Sequence, residues 1–200
     1  SITAADIDGG SYDNCSISQI FASRTSFTCA DVPGTTVQLT VFDDNTPPLV
    51  DACFANVTVI DTVSPNALCR NVDVYLDNNG QVTVPSDSID NGSNDACGIA
   101  RMTVTPDQFD CSDRALGQPF NRPGTHTVTL EVEDVNGNIS SCTAQVTVYD
   151  ATDPLASCQN LTIQLDANGQ ASITVADVDF GSSDNCGIWT MDLTQYNFDY

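Results

Sequence analysis

The sequence predicts an all-β chain built from tandem β-sandwich repeats of about 89 residues. Three observations carry this. Cys69 and Cys158, Cys97 and Cys186, and Cys53 and Cys142 each lie 89 residues apart, a fixed period of the kind that marks repeat architectures. Short runs of alternating apolar and polar residues are separated by Gly- and Pro-rich turns, and no helical periodicity appears. A polar loop with several carboxylates and one cysteine occurs three times, at 6–15, 87–98 and 177–187.

The period divides the chain into residues 1–62, the C-terminal part of one repeat; 63–152, a complete repeat; and 153–200, the N-terminal part of the next. The opening Ser1-Ile2-Thr3 and Asp6-Ile7-Asp8 match Ser172-Ile173-Thr174 and Asp177-Val178-Asp179, so the chain is expected to enter partway through a repeat. Strands are predicted at 37–42 and 56–61, and Thr62-Val63-Ser64-Pro65 reads as a short stiff linker. The complete repeat carries strands at 72–76, 81–84, 99–105, 125–132 and 144–150. Asp77-Asn78-Asn79-Gly80 is a turn signal between its first two strands. The third repeat starts again at Cys158 and reaches Cys186. The first repeat is about seven residues shorter between Cys29 and Cys53, and the extra residues of the complete repeat are placed in the stretch Ser112 to Arg122.

Charge narrows the functions. Five Lys and Arg stand against 27 Asp and Glu, for a formal net charge of -22. All five cations are Arg, and the acid is almost all Asp. No basic patch is available to release counterions from a nucleic acid, which excludes that partner. Nine cysteines at repeated spacing, with no close Cys-x-x-Cys pair, point to disulfides in an oxidising compartment rather than to zinc. No apolar run is long enough to span a bilayer. His126 is the sole histidine and sits in an alternating strand, so no Ser-His-Asp set can be assembled repeatedly and no enzyme is expected. Trp189, Phe21 and Met102 are expected in the core.

The residues resemble the hyalin-type, immunoglobulin-like extracellular repeat, above all the versions in very large cell-surface proteins of Bacteroidetes, including gliding adhesins. The matching stretches are Thr152-Asp153-Pro154 before Cys158, Asp184-Asn185-Cys186-Gly187, and Asp134 through Cys142 before the last strand. The pattern departs at Ala96, where the other copies have Asn14 and Asn185, and at Asp44-Asn45-Thr46-Pro47, which lacks the Asn-Gly-Asn turn. The resemblance implies immunoglobulin-like sandwiches in a secreted, repetitive stalk or adhesin at the cell surface, attached at the outer membrane. Asp61-Thr62-Val63 and Asp87-Ser88-Ile89 look like the short O-glycosylation signal of such proteins, which makes Thr62 and Ser88 candidate acceptors.

Cys15 and Cys29, and Cys97 and Cys111, share a separation of 14, and a strand with its return would pair each couple within its repeat. Cys69 is expected to bridge to Cys142. A rival scheme, Cys53 to Cys69 and Cys142 to Cys158 across the linkers, leaves fewer orphans. It asks an extended run to close on itself, whereas disulfide Cα atoms must approach within about 7 Å. If the first and last strands lie parallel, as in many immunoglobulin-like sandwiches, Cys69 and Cys142 meet at their starts. Cys53, Cys158 and Cys186 then take partners outside the chain.

The acidic loops suggest Ca²⁺. They belong at the pole where the preceding linker arrives, so Asp61 is expected to meet Asp87, Asp90, Asp95, Asp134, Asn136 and Asn138. Asp150 and Asp153 are likewise expected to meet Asp177, Asp179 and Asp184. Six or so oxygens from converging segments suit Ca²⁺ better than Mg²⁺; the alternative is that these Asp residues form turns and a solvated acidic face. The function expected is a stalk or spacer of a surface adhesin or filament, with junctions stiffened by calcium and disulfides and with neighbouring repeats as partners. The alternative is an adhesion module that itself binds a glycan, a host surface or a filament subunit, with the Ser112–Arg122 insertion as its candidate feature.

Overall fold

The computed structural model describes residues 1–114 and 122–199, so residues 115–121 of the Ser112–Arg122 insertion lie outside the described residues. The chain is an all-β sandwich protein whose residues gather into two units. One comprises Ser1–Pro65 with Asn94–Ala100 and Glu133–Ile139; the other comprises Asn66–Ser93, Arg101–Val132 and Ser140–Tyr200.

In the first unit a single helical turn, α1 (Ala4–Ile7), precedes three antiparallel strands: β1 (Ile17–Ala22), β2 (Gly34–Asp43) and β3 (Val50–Thr58), in the order β1-β2-β3. Alternation along β2 buries Val37 and Leu39, because successive side chains leave opposite faces of a strand. β3 is an edge strand of this sheet and is exposed along most of its length.

The second unit holds the body of the complete repeat. Its strands are β4 (Val72–Tyr75), β5 (Gln81–Thr83), β6 (Ile99–Thr105), β7 (Gln108–Asp110), β8 (Gly124–Asp134) and β9 (Ile139–Tyr149), with one helical turn, α2 (Ser86–Ile89). Four of them form a sheet in the order β4-β9-β8-β6, while β5 pairs with β7. The first strand runs parallel to the last, with Val72 opposite Val146 and Tyr75 opposite Tyr149. Val128, Leu130 and Val132 of β8 and Val146 and Val148 of β9 are fully buried, and Leu76, Val84, Ile89, Val104, Phe109 and Ala144 are buried with them. The Phe109 ring lies 5.5 Å from that of His126 on β8, so the β5–β7 pair packs against the larger sheet.

The third repeat adds β10 (Gln170–Ser172), the helical turn α3 (Val175–Val178) and β11 (Asn197–Asp199). Ala171 faces Phe198 there as Val82 faces Phe109 in the complete repeat, the same pairing displaced by one period. Two of the expected core aromatics are corrected. Phe21 and Trp189 are 53% and 67% exposed. Phe21 meets Phe42 edge-on at 5.9 Å, outside the buried row of Val37 and Leu39.

Candidate functional site: disulfide-tied junctions

The junctions between repeats are where cysteines and carboxylates converge. Cys29 is joined to Cys97 and Cys111 to Cys186, with Cα separations of 5.2 and 5.3 Å. The expected pairs Cys15–Cys29 and Cys97–Cys111 are therefore corrected, as is the assignment of Cys186 to a partner outside the chain. The cause is topological. Cys97 precedes β6 and Cys111 follows β7, yet β6 lies in the four-stranded sheet and β7 pairs with β5. The run from 97 to 111 crosses between sheets and does not fold back, and a seven-residue strand alone carries the chain about 23 Å. Cys29 and Cys111 are equivalent positions, as are Cys97 and Cys186, so one bond between consecutive repeats is made twice. Cys69 is joined to Cys142 within the complete repeat, at a Cα separation of 5.8 Å, just before the parallel pairing of β4 and β9 begins. Cys15, Cys53 and Cys158 are unpaired and exposed.

In the first unit the loops 94–100 and 133–139 close on Asp61. Val135 donates its N–H to the Gly98 carbonyl, and the Asn138 side chain donates to the Asp61 carbonyl at 3.2 Å. Asp61, Asp95 and the Cys97 sulfur present atoms within 4.8 Å of one another, all half-buried. Cys97 is spent on its disulfide, so the carboxylates are the charged ligands there. Asp95 accepts the N–H groups of Cys97 and Gly98, and Asp61 that of Val63, through one oxygen each. The other oxygens remain for a cation. In the same loop as Asn138, the Asn136 side-chain oxygen is buried with no hydrogen-bond partner, an orphaned acceptor of the kind that a hard cation satisfies.

Asp134 serves this site indirectly. Only 1% exposed, it accepts the backbone N–H groups of Asn136 and Asn138 and the Asn138 amide, which shapes the loop. Burial pushes the carboxyl pKa up, but the Asn138 and Asn136 donors outweigh that and hold it below its ordinary value. A group depressed in this way stabilises the fold above its unfolded value near pH 4 and loses that contribution as pH falls through the lower folded value. Thermal melts of the chain and of Asp134→Asn between pH 2 and 7 are expected to differ most at neutral pH and to converge below about pH 4. A constant difference would show that ionisation of Asp134 plays no part.

The other expected ligands lie outside the Asp61–Asp95 group and make local hydrogen bonds. Asp90 gives both oxygens to the N–H groups of Gly92 and Ser93, and Asp179 does the same for Gly181 and Ser182. Asp177 caps Thr174 and Asp184 accepts from Cys186, each through one oxygen, as Asp61 and Asp95 do. Asp87 and Asp153 are exposed, and neither belongs to the Asp61–Asp95 group. Short Asp side chains bonding the backbone two or three residues on are turn formers. Asp150, the equivalent of Asp61, is buried against Arg114, whose guanidinium donates to it at 2.9 Å and also to the Cys186 carbonyl. Val32 occupies the position of Arg114 in the first repeat, so Asp150 has a built-in cation that Asp61 lacks.

Several of these features escaped the sequence reading. Arg114 was detectable by aligning Cys111-Ser112-Asp113-Arg114 with Cys29-Ala30-Asp31-Val32. Asp43, buried and accepting from Asn45 and Leu49, fills the role of Asp134 despite the altered turn. Gly80 is required where it stands. Its φ is +72°, and a Cβ there would lie 2.4 Å from the Cys111 sulfur. Asn185 fastens to the same turn by donating to the Asp77 carbonyl at 2.9 Å. Of the candidate glycosylation residues, Thr62 is exposed and Ser88 is half-buried within α2.

No family model matches the chain, and no curated protein matches it. Among solved structures it is similar to the protocadherin GammaB4 extracellular domain, with 18% identity and a TM-score of 0.34, over 73% of this chain and 29% of that one. It is also similar to protocadherin Gamma B7 extracellular cadherin domains 1–4, with 14% identity and a TM-score of 0.34, over 85% of this chain and 51% of that one. A third is protocadherin Gamma B2 extracellular cadherin domains 3–6, with 17% identity and a TM-score of 0.32, over 73% and 39% of the two chains. The chain thus spans about half, or less, of the length of these structures.

Proposed function

We propose that the chain is a load-bearing spacer from a secreted, repetitive cell-surface protein of the hyalin-type class found in Bacteroidetes adhesins, with repeats at 1–62, 63–152 and 153–200. The observation that carries this is the bond made twice between consecutive repeats, Cys29–Cys97 and Cys111–Cys186. Tension on the ends passes through those sulfurs and bypasses most of the chain, a use for covalent links between repeats that neither catalysis nor ligand capture requires. Pulling single molecules with and without reductant tests the reading; equal extensions would overturn it.

Calcium is the second part of the proposal. Asp61 and Asp95, with the Asn136 oxygen, would hold one Ca²⁺ and neutralise carboxylates that face each other without an arginine. At the next junction Arg114 supplies that charge to Asp150. Calorimetry on chelator-treated protein is therefore expected to give one Ca²⁺ per chain, with a dissociation constant of roughly 0.1–1 mM as in extracellular modules. Asp61→Asn and Asp95→Asn should each abolish the heat while Asp177→Asn leaves it. Two equal sites, or no heat at millimolar Ca²⁺, would remove the claim.

A further inference from the structure

The Cys29–Cys97 bond lies against a pair of carboxylates. The Cys97 sulfur is within 4.8 Å of oxygens of Asp61 and Asp95, and the Cys29 sulfur is one covalent bond beyond it. Two sulfurs and two carboxylates thus converge from three separate stretches, all inside the first unit. Each cysteine is held by its own backbone as well as by the disulfide. Asp95 accepts the N–H groups of Cys97 and Gly98, and the Gly98 carbonyl accepts from Val135. Cys29 opens a short 3-10 turn, Cys29–Asp31, in which Asp31 accepts the Thr28 N–H and the Cys29 carbonyl accepts from Val32. Breaking the sulfur–sulfur bond therefore leaves two thiols beside the same two carboxylates. The oxidised group offers oxygen alone, which suits Ca²⁺; the reduced group adds two soft ligands, which suit zinc. Four ligands on a tetrahedron around Zn²⁺ stand about 3.3–3.8 Å from one another, given bonds of about 2.3 Å to sulfur and about 2.1 Å to oxygen. The Asp61, Asp95 and Cys97 atoms already lie within 4.8 Å, so a rotamer change of either cysteine closes the remaining gap.

We propose that reduction converts this junction into a site for a thiophilic divalent metal such as Zn²⁺, with Cys29, Cys97, Asp61 and Asp95 as its four ligands. A dithiol reductant gives two electrons and two protons to the sulfur–sulfur bond and leaves as its own disulfide. Zn²⁺ then displaces the two thiol protons and binds the two thiolates. A disulfide oxidant reverses the sequence: the thiolates give up two electrons, the bond re-forms and the metal leaves. The junction is thereby clamped in both redox states, by zinc under reducing conditions and by the disulfide under oxidising ones. The Cys111–Cys186 bond is not equivalent in this respect. Arg114 donates to Asp150 and to the Cys186 carbonyl, and that fixed cation opposes a metal ion beside those sulfurs. The inference shares the carboxylates of the calcium reading and rests on their being metal ligands.

The test uses the full chain carrying Cys15→Ser, Cys53→Ser and Cys158→Ser, which removes the exposed unpaired thiols, reduced with dithiothreitol and then freed of it without air. Timed alkylation with peptide mapping is expected to show that Zn²⁺ slows modification of Cys29 and Cys97 at least about tenfold and leaves Cys69, Cys111, Cys142 and Cys186 as they were. Co²⁺, a coloured substitute, should give a thiolate charge-transfer band complete at one equivalent, and the oxidised chain should give none. Cys29→Ser with Cys97→Ser should abolish the band. Asp61→Asn with Asp95→Asn should weaken Co²⁺ binding at least about tenfold, a loss usual even for outer-shell partners of a metal. Protection spread over all six cysteines would show indiscriminate thiol binding. No protection, as when the reduced junction comes apart, would show that the ligands do not stay together. A band unchanged by the asparagines would remove the carboxylates. Each of these overturns the proposal. Ca²⁺ heat from the oxidised chain without zinc protection of the reduced one sinks this inference alone, whereas zinc protection without Ca²⁺ heat sinks the calcium reading alone.

Discussion

Stretched between its two ends with its disulfides intact, the chain is expected to reach about 200 Å, against about 700 Å after reduction, at roughly 3.5 Å per extended residue. The difference comes from two bonds. Cys29–Cys97 and Cys111–Cys186 close loops with sequence separations of 68 and 75, and a taut chain follows the shortest covalent route. That route runs along 1–29, crosses to Cys97, follows 97–111, crosses to Cys186 and leaves by 186–200. Strands β4, β8 and β9 lie off it. Their sandwich can unfold without lengthening the molecule, because Cys69–Cys142 links segments that are both already bypassed. Replacing Cys29 and Cys97 by serine should raise the limit to about 400 Å, since the route must then detour through Cys69 and Cys142. Single-molecule extension with the three proteins gives these lengths directly. A serine variant no longer than the unreduced parent would show that the bond carries no load.

What the sequence made legible, and what it hid, divides along the range of the interactions involved. The period, the strand positions and the meeting of Cys69 with Cys142 follow from local alternation and from one topological idea, the parallel first and last strands. The cross-repeat bonds did not follow, because a separation of 14 fits a hairpin as well as a run between sheets. Only the pairing of β7 with β5, away from β6, separates the two. The acidic loops are ambiguous for a different reason. Asp serves as metal ligand and as turn former, and the two uses share spacing. Asp90 and Asp179 are occupied by the N–H groups two and three residues on, while Asp61 and Asp95 each have one neighbourhood built from distant loops. Arg114 against Asp150 is a long-range pair between two positions 36 residues apart; alignment of the repeats singles out Arg114 but does not name its partner.

Removing the Cys69–Cys142 bond should destabilise the complete repeat by about 4 kcal/mol, the chain-entropy value for a loop of this size. The bond closes a separation of 73 residues, and without it the unfolded chain regains the freedom of both ends. For a repeat of this size that corresponds to a fall in Tm on the order of 20 °C. The parallel pairing of β4 with β9 is the element most exposed to the loss. It spans four residues, Val72–Tyr75, and few of its contacts are deep, since Val72 and Val74 are half-buried and Tyr75 is exposed while stacking on Tyr149 at 5.3 Å. Without the bond β4 should leave first, uncovering the edge of β9 and recreating in the complete repeat the open edge that β3 has in the first. Denaturant unfolding of Cys69→Ser with Cys142→Ser measures the energy, and hydrogen exchange at Val72–Leu76 locates it. Cys53→Ser, on an exposed unpaired thiol, serves as the control and should change stability by no more than about 0.5 kcal/mol. A loss below about 1 kcal/mol for the double variant would mean that packing of Leu76, Val146 and Val148 already holds the ends together. The disulfide would then serve the stretched chain instead of the resting fold.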